Sequence, residues 1–394
     1  MTRSGIRIPS RVDAVDAARG IALLGMMLVH VGPHGEPSGS PAIGQVVAGG
    51  RAAPLFAVLA GVALSLVHRR DPRGVGSVRA TILRGILLVV LGLGLGSLDD
   101  VPVYVILTSY GLMIIVALPF RTLPTRVLLL VTLGWIAVAP FVVIGTQVLH
   151  EPVIAMQSEL AELGHPLDLG AELLVWGAYP AIVWFAYVLV GLLVGRLDLR
   201  SARTAWRLTG LGAVLVVLTV GLAWWLISGG AVDDRSSMGW ELLVAPRAYP
   251  YAEASWNDLL LLGEHTSAPL NVISAIGSAL LVIGLCALLV RLPWARLALL
   301  PVRAAGAMTL TLYTAHVLWF WRAATSDAYD RPDVLTPGTW SHWLLQAVAL
   351  VGFAMIWQRQ VGRGPLESAV RLLSVTAWRG GHEKEKTPRP EPGR

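Results

Sequence analysis

Lysine is nearly missing from this sequence: two occur, Lys384 and Lys386, both within the last eleven residues. Cysteine is rarer still. The single Cys286 lies inside an apolar stretch, which excludes a disulfide framework and a thiol metal site. Charge of either sign is sparse, at 14% of residues against about 25% in soluble domains, so a water-soluble globule is excluded as well. No P-loop, dinucleotide fingerprint, zinc-ligand spacing or nucleophile elbow is present, and no metal is expected. No internal repeat is evident, which weakens a transporter built from inverted halves.

What fills the chain instead is apolar sequence, 55% of its 394 residues, with a mean hydropathy of +0.65. Ten stretches are long and apolar enough to read as spans, near 13–32, 52–68, 80–98, 103–119, 126–148, 173–195, 205–228, 269–290, 304–323 and 341–358. With the N-terminus inside, every lysine and arginine falls in inner loops, tails or inner helix ends except Arg51, Arg235, Arg247, Arg322 and Arg331. Most of the acidic residues fall outside. The net charge of +6 is therefore a topology signal rather than a nucleic-acid footprint. The expectation is an all-α polytopic membrane bundle of about ten helices, with both termini in the cytoplasm of a bacterium.

The Arg-rich start resembles a signal peptide, but no small-residue cleavage pattern follows, so the first helix is expected to be retained. One transmembrane domain is expected over 1–378. It includes an extended outer loop at 229–268 and an amphipathic inner-surface helix at 365–378, and a disordered cytoplasmic tail follows at 379–394. The loop between 149 and 172 has the spacing of a short surface helix.

The segment Asp13 to Glu36 is the most unusual. Asp13, Asp16 and Arg19 share one side of a helix, and the uncharged run beyond them is too short to span a bilayer. Asp16 and Arg19 are therefore expected at membrane depth, with His30 near the outer boundary. Ionisable groups there face a protein interior or a wet cavity. Seven of the nine histidines, including His30, His34, His265 and His316, fall toward the outer side, where imidazoles can move a proton or attack an acyl group. His30 and His316 lie within helices. Thr309, Tyr313, His316 and Phe320 form one continuous face, which reads either as an acceptor pocket or as interhelical polar packing. Arg51 opens the second span from the outer side; it can clamp an anionic group or serve as an interfacial salt bridge. Glu264 precedes His265 at the mouth of the eighth span, where a carboxylate can fix an imidazole tautomer.

Five stretches carry a family resemblance. DAVDAARGIALLGMMLVH resembles the acid-x-x-Arg-Gly first helix of YeiB-like and heparan-α-glucosaminide N-acetyltransferase-like transmembrane acyltransferases. PLFAVLAGVALSL, YVILTSYGLMIIVALPF, GAMTLTLYTAHVLWF and RQVGRGPLESAVRLL are similar to later segments of the same group, in order along the chain. The resemblance implies transfer of an acyl group, chiefly acetyl, from a cytosolic acyl-CoA to an acceptor across the membrane. Lysosomal relatives acetylate a terminal glucosamine with an outer histidine after the first helix. His34 occupies that loop here, and His30 stands where those relatives carry asparagine.

Coenzyme A is too charged to cross a bilayer, so its phosphates are expected at the inner face, near Arg19, Arg84 and Arg303. Its arm would reach up to His30 and His316, with Arg51, Tyr313, Thr309 and Asp16 as substrate-binding candidates. Lipids, acyl-CoA and an extracytoplasmic glycan or small acceptor are the expected partners, with a homodimer left open. The rival readings are a transporter or exporter, and a lipid-binding or structural membrane subunit.

Overall fold

A computed structural model describes residues 12–35, 41–71, 75–150, 157–229, 256–325 and 337–374. The described residues are helical, with one isolated bridge between Gly35 and Pro41. The helices are α1 (Asp13–Val31), α2 (Ile43–Ala48), α3 (Ala52–Arg70), α4 (Val75–Gly96), α5 (Leu107–Val116), α6 (Thr125–His150) and α7 (Pro166–Ala171). They continue with α8 (Ala181–Val194), α9 (Ala202–Ser228), α10 (Pro269–Leu289), α11 (Pro293–Ala298), α12 (Leu300–Gly306), α13 (Thr309–Ala324) and α14 (Trp340–Gln360). A further helix, α15, covers 365–374. The expected outer loop lies mostly outside the described residues, and the tail and the last turn of the amphipathic helix lie wholly outside them.

Each of the ten expected spans contains a helix, but they are not equal. Among the described residues seven helices are long and apolar enough to cross a membrane, and Pro166–Trp176 with Ala181–Val194 forms a further apolar pair bent by 60°, which counts as an eighth if the pair is one span. Gly177 and Pro180 sit in that bend, and a π-helical turn over Glu172–Trp176 precedes it. The fourth span is shorter than expected, ten residues in α5. The ninth is broken: α12 stops at Gly306 and α13 restarts at Thr309, with Met308 between them off the helical backbone. The two amides exposed by that restart, Leu310 N–H and Thr311 N–H, donate to Glu367 from α15 at 2.8 and 3.2 Å. This is a capping interaction supplied by a distant segment. The expected short surface helix appears as α7, behind a 3-10 turn at Leu160–Gly164.

α1 lies at the centre. It packs against α3, α10, α12, α13 and α14, and 61% of its span is buried, against 22% for α9. α9 turns Trp206, Val214, Val217, Leu218 and Trp225 outward, a face suited to lipid. Close crossings need small residues: a Cβ on Gly61 of α3 would run into Val188 and Gly191 of α8, and one on Gly191 into Val58.

Hydrogen bonds sort the described loops into two ends. At one end, Trp321 donates to Asp99 O, Gly338 to Val31 O, Gly50 to Glu264 and Tyr179 to Tyr104 O. At the other, Arg303 and Arg296 pair with Asp13, Arg69 donates to Gly195 O and Arg291 to Arg200 O. The first set is the histidine-rich end and the second the arginine-rich end.

Candidate functional site

A cavity of about 650 Å³ opens at the histidine-rich end. His30, His34, Glu264 and His265 line it together with Gln45, Tyr104, Gln157, Tyr179, Tyr187 and Asn271. Chain segments far apart in sequence supply these groups: the end of α1, α2 and the corner after it, the stretch before α5, Gln157, the bend before α8 with α8 itself, and the turn before α10 with its first helical turn.

The last turn of α1 delivers His30 against α13. His30 Nδ1 lies 2.9 Å from His316 Nε2, and the two rings are nearly parallel, tilted by 10°. His316 is fully buried, and its Nδ1 lies 2.6 Å from Gln346 Oε1 on α14. These contacts assign the protons. An amide oxygen only accepts, so His316 carries its hydrogen on Nδ1 and presents a lone pair at Nε2. His30 must then donate through Nδ1, which leaves His30 Nε2 as a lone-pair nitrogen on a side chain that borders the cavity. The triplet Gln346–His316–His30 is thus an orienting relay of the kind that prepares a base. Phe320 stacks on the far side of His316, at 6.5 Å between ring centres.

His265 is prepared separately. Its Nδ1 donates to Ala178 O at 2.8 Å, so Nε2 again carries the lone pair. Tyr104 and Tyr179 meet its ring edge-on at 5.7 and 5.3 Å. The backbone that holds it is strained: His265 and Ser267 have φ of +58° and +56°, a region L-residues seldom occupy. Asn271 holds the turn by donating to Leu262 O and Gly263 O, and Thr266 Oγ1 donates to Gly263 O. Glu264 does not touch its neighbour's imidazole. It accepts from Gly50 N–H at 3.1 Å, and Gly50 has a φ of +63°. His265 and His34 share the cavity lining with His30.

Other expected residues fall elsewhere. Arg51 follows the Ala48–Gly50 stretch of the lining, and its Nη1 donates to Val46 O and Gly49 O at 2.6 and 3.2 Å, which holds the corner together. Tyr313 is buried on the His316 face of α13, and Thr309 begins that helix. Asp16 and Arg19 lie at the arginine-rich end, 3.6 Å apart. At about 1.5 Å per residue, Arg19 is some 16 Å below His30 along α1. Asp16 is therefore not brought to the cavity. Arg303 is engaged by Asp13, a residue whose partnership the sequence did not suggest. Arg84 is exposed and lies within electrostatic reach of Tyr110, Arg19 and Glu367, which brings polar groups of α1, α4, α5 and α15 near one another.

Gln346 was missed from the sequence. Its signal is a lone amide in the apolar run WLLQAVALVGF, where an unpaired polar group is costly. Gln157, Tyr104 and Asn271 carry no comparable signal. Among the described residues no group of three His, Cys, Asp or Glu is assembled as metal ligands are.

Compared with known families, residues 11–228 match the model described as heparan-alpha-glucosaminide N-acetyltransferase, catalytic. The match spans α1 to α9, including His30, and stops before His265 and His316. A comparison with curated proteins finds no match.

Proposed function

Because the chain belongs to the heparan-alpha-glucosaminide N-acetyltransferase catalytic family, and is therefore a membrane-embedded transferase of the acetyltransferase kind, we propose that it moves an acetyl group from acetyl-CoA on the cytoplasmic side to an amine or hydroxyl acceptor entering the outer cavity. A bacterial plasma membrane with both termini inside agrees with the arginine distribution. The acceptor class that suits the cavity is an extracytoplasmic glycan end or a small polar molecule, since amide, carboxylate, imidazole and phenol groups line it.

The observation that carries this reading is the relay from Gln346 through His316 to His30, which leaves one imidazole lone pair on a side chain that lines the cavity. His30 Nε2 takes the proton of the acceptor as its nitrogen or oxygen attacks the thioester carbonyl. A C–N or C–O bond forms, the C–S bond breaks, and the thiolate leaves with a proton. His34 and His265 line the same space and serve acceptor binding, with Glu264 fixing the corner at Gly50. The donor's phosphates suit Arg19 and Arg84. Arg303, held by Asp13, supports α12 against α1 instead.

The test uses purified full-length chain in lipid vesicles with labelled acetyl-CoA outside and an amino sugar inside. Wild type should acetylate the sugar, and His30→Ala should lose at least about a hundredfold in rate while eluting as the same folded species. Undiminished transfer by His30→Ala would remove His30 from the chemistry. One feature favours a second reading: the 60° break before α8 resembles the discontinuous helices of transporters. Uptake of the amino sugar without any acyl donor would favour that reading over the first.

A further inference from the structure

The arginine-rich end holds a second polar cluster, made of residues other than Arg19 and Arg84. It is built from the end of α3, the 3-10 turn Phe120–Thr122 and the loop after α8. Two arginines lock these segments together through carbonyls. Arg69 donates to Gly195 O at 3.2 Å; Arg196 donates to Arg121 O at 3.1 Å and to Thr125 Oγ1 at 2.9 Å. Arg121 is different. Its side chain is only 7% exposed, and its Nε and Nη1 meet no hydrogen-bond acceptor. His68 Nδ1 is buried and unpartnered as well, and the positive charges of Arg121 and Arg196 both act on His68. Asp198, in the loop after α8, accepts from Arg200 N–H at 3.0 Å through Oδ1, and among the described residues no carboxylate pairs with Arg121.

A guanidinium withdrawn from water and left without a counter-charge is one of the costliest arrangements a protein can hold, unless an anion completes it. The first turn of α6, which begins at Thr125, adds the positive end of a 26-residue helix dipole to the same place. From Arg121, His68 and Arg196 we infer an anion site for a phosphate ester. It is separate from the acetyl-transfer cavity and independent of whether the chain transfers acetyl groups. Two sources share this chemistry: the headgroup of an anionic phospholipid at the inner surface, and a soluble nucleotide phosphate.

The experiment measures binding to the delipidated full-length chain in neutral detergent. Native mass spectrometry and thermal unfolding are read with three probes: phosphatidylglycerol, adenosine 3′,5′-bisphosphate, and sodium chloride at matched ionic strength. The wild type is expected to bind at least one phosphate probe beyond the chloride baseline. His68→Gln and Arg121→Lys should each weaken that binding by about tenfold, the scale of one charge-assisted hydrogen bond. Loss confined to phosphatidylglycerol assigns the site to lipid, and loss confined to the bisphosphate assigns it to a nucleotide. Arg121→Gln removes the charge altogether; if it does not fold, the two milder variants still decide. Wild-type binding no better than chloride overturns the proposal, as does unchanged affinity in both His68→Gln and Arg121→Lys.

Discussion

The two ends of this bundle place their polar groups in opposite ways. At the histidine-rich end the polar groups form a chain of neutral donors and acceptors, Gln346 to His316 to His30, and the surplus valence faces a cavity. At the arginine-rich end they are charges, mostly consumed by structure: Asp13 takes Arg296 and Arg303, while Arg69 and Arg196 hold loop carbonyls. Neutral relays leave a reactive lone pair at small desolvation cost, whereas ion pairs fix helices but leave little to react. Chemistry is therefore expected at one end and anchoring at the other.

The largest effect should come from breaking the relay in its middle. His316→Ala removes the group that orients His30, and acetyl transfer should fall by about two to four powers of ten with the elution profile unchanged. A result within a few-fold of wild type would mean that His30 acts without its partner. Next in size is Gln346. Gln346→Leu strands the buried Nδ1–H of His316 and should lower kcat by about ten- to a hundredfold. Gln346→Glu restores an acceptor and should recover most of that loss. Failure of the rescue would argue that α14 contributes packing and not proton placement.

The comparison sharpens at the other end. Arg84→Gln should raise KM for acetyl-CoA by about tenfold and leave kcat nearly unchanged, because a charge far from the bond being broken contributes uniform binding. A kcat effect of equal size would contradict the separation of the two ends. The smallest effect concerns the cavity corner. A Cβ at Gly50 would lie 3.2 Å from Glu264 Cβ and would require a φ that L-residues avoid. Gly50→Ala should therefore cost about 1 kcal/mol, read as a few degrees in Tm. An unchanged Tm would show that the corner relaxes freely.

Much of this was legible in the sequence, for identifiable reasons. Asp16, Arg19 and His30 stand out because each violates the apolar rule of a spanning helix, and His316 stands out on the same ground. What pattern alone does not carry is partnership. That His30 meets His316 across 286 residues depends on how α1 packs against α13. Arg303 looked available because nothing in its neighbourhood of sequence announces Asp13. Arg51 reads from sequence as a clamp or a salt bridge, and a lone outer arginine does not reveal that its own corner, Val46 to Gly49, turns carbonyls toward it. The positive φ values at His265 and Ser267 are equally silent, since neither residue type demands them. The breaks before α8 and α13 were only half legible: Gly177 and Pro180 flag the first, while the second is held by Glu367, which no local rule links to Thr309.

The relay also has a consequence for how the protein is made. Gln346 follows His30 by 316 residues in the order of synthesis, so a ribosome must deliver α1, α13 and everything between them before the amide that meets His316 arrives. Any nascent or truncated product ending before α14 carries the first histidine but an unoriented imidazole pair. On the proposed function, transfer would thereby wait until α14 has joined α13, and an unfinished chain would spend no acetyl groups.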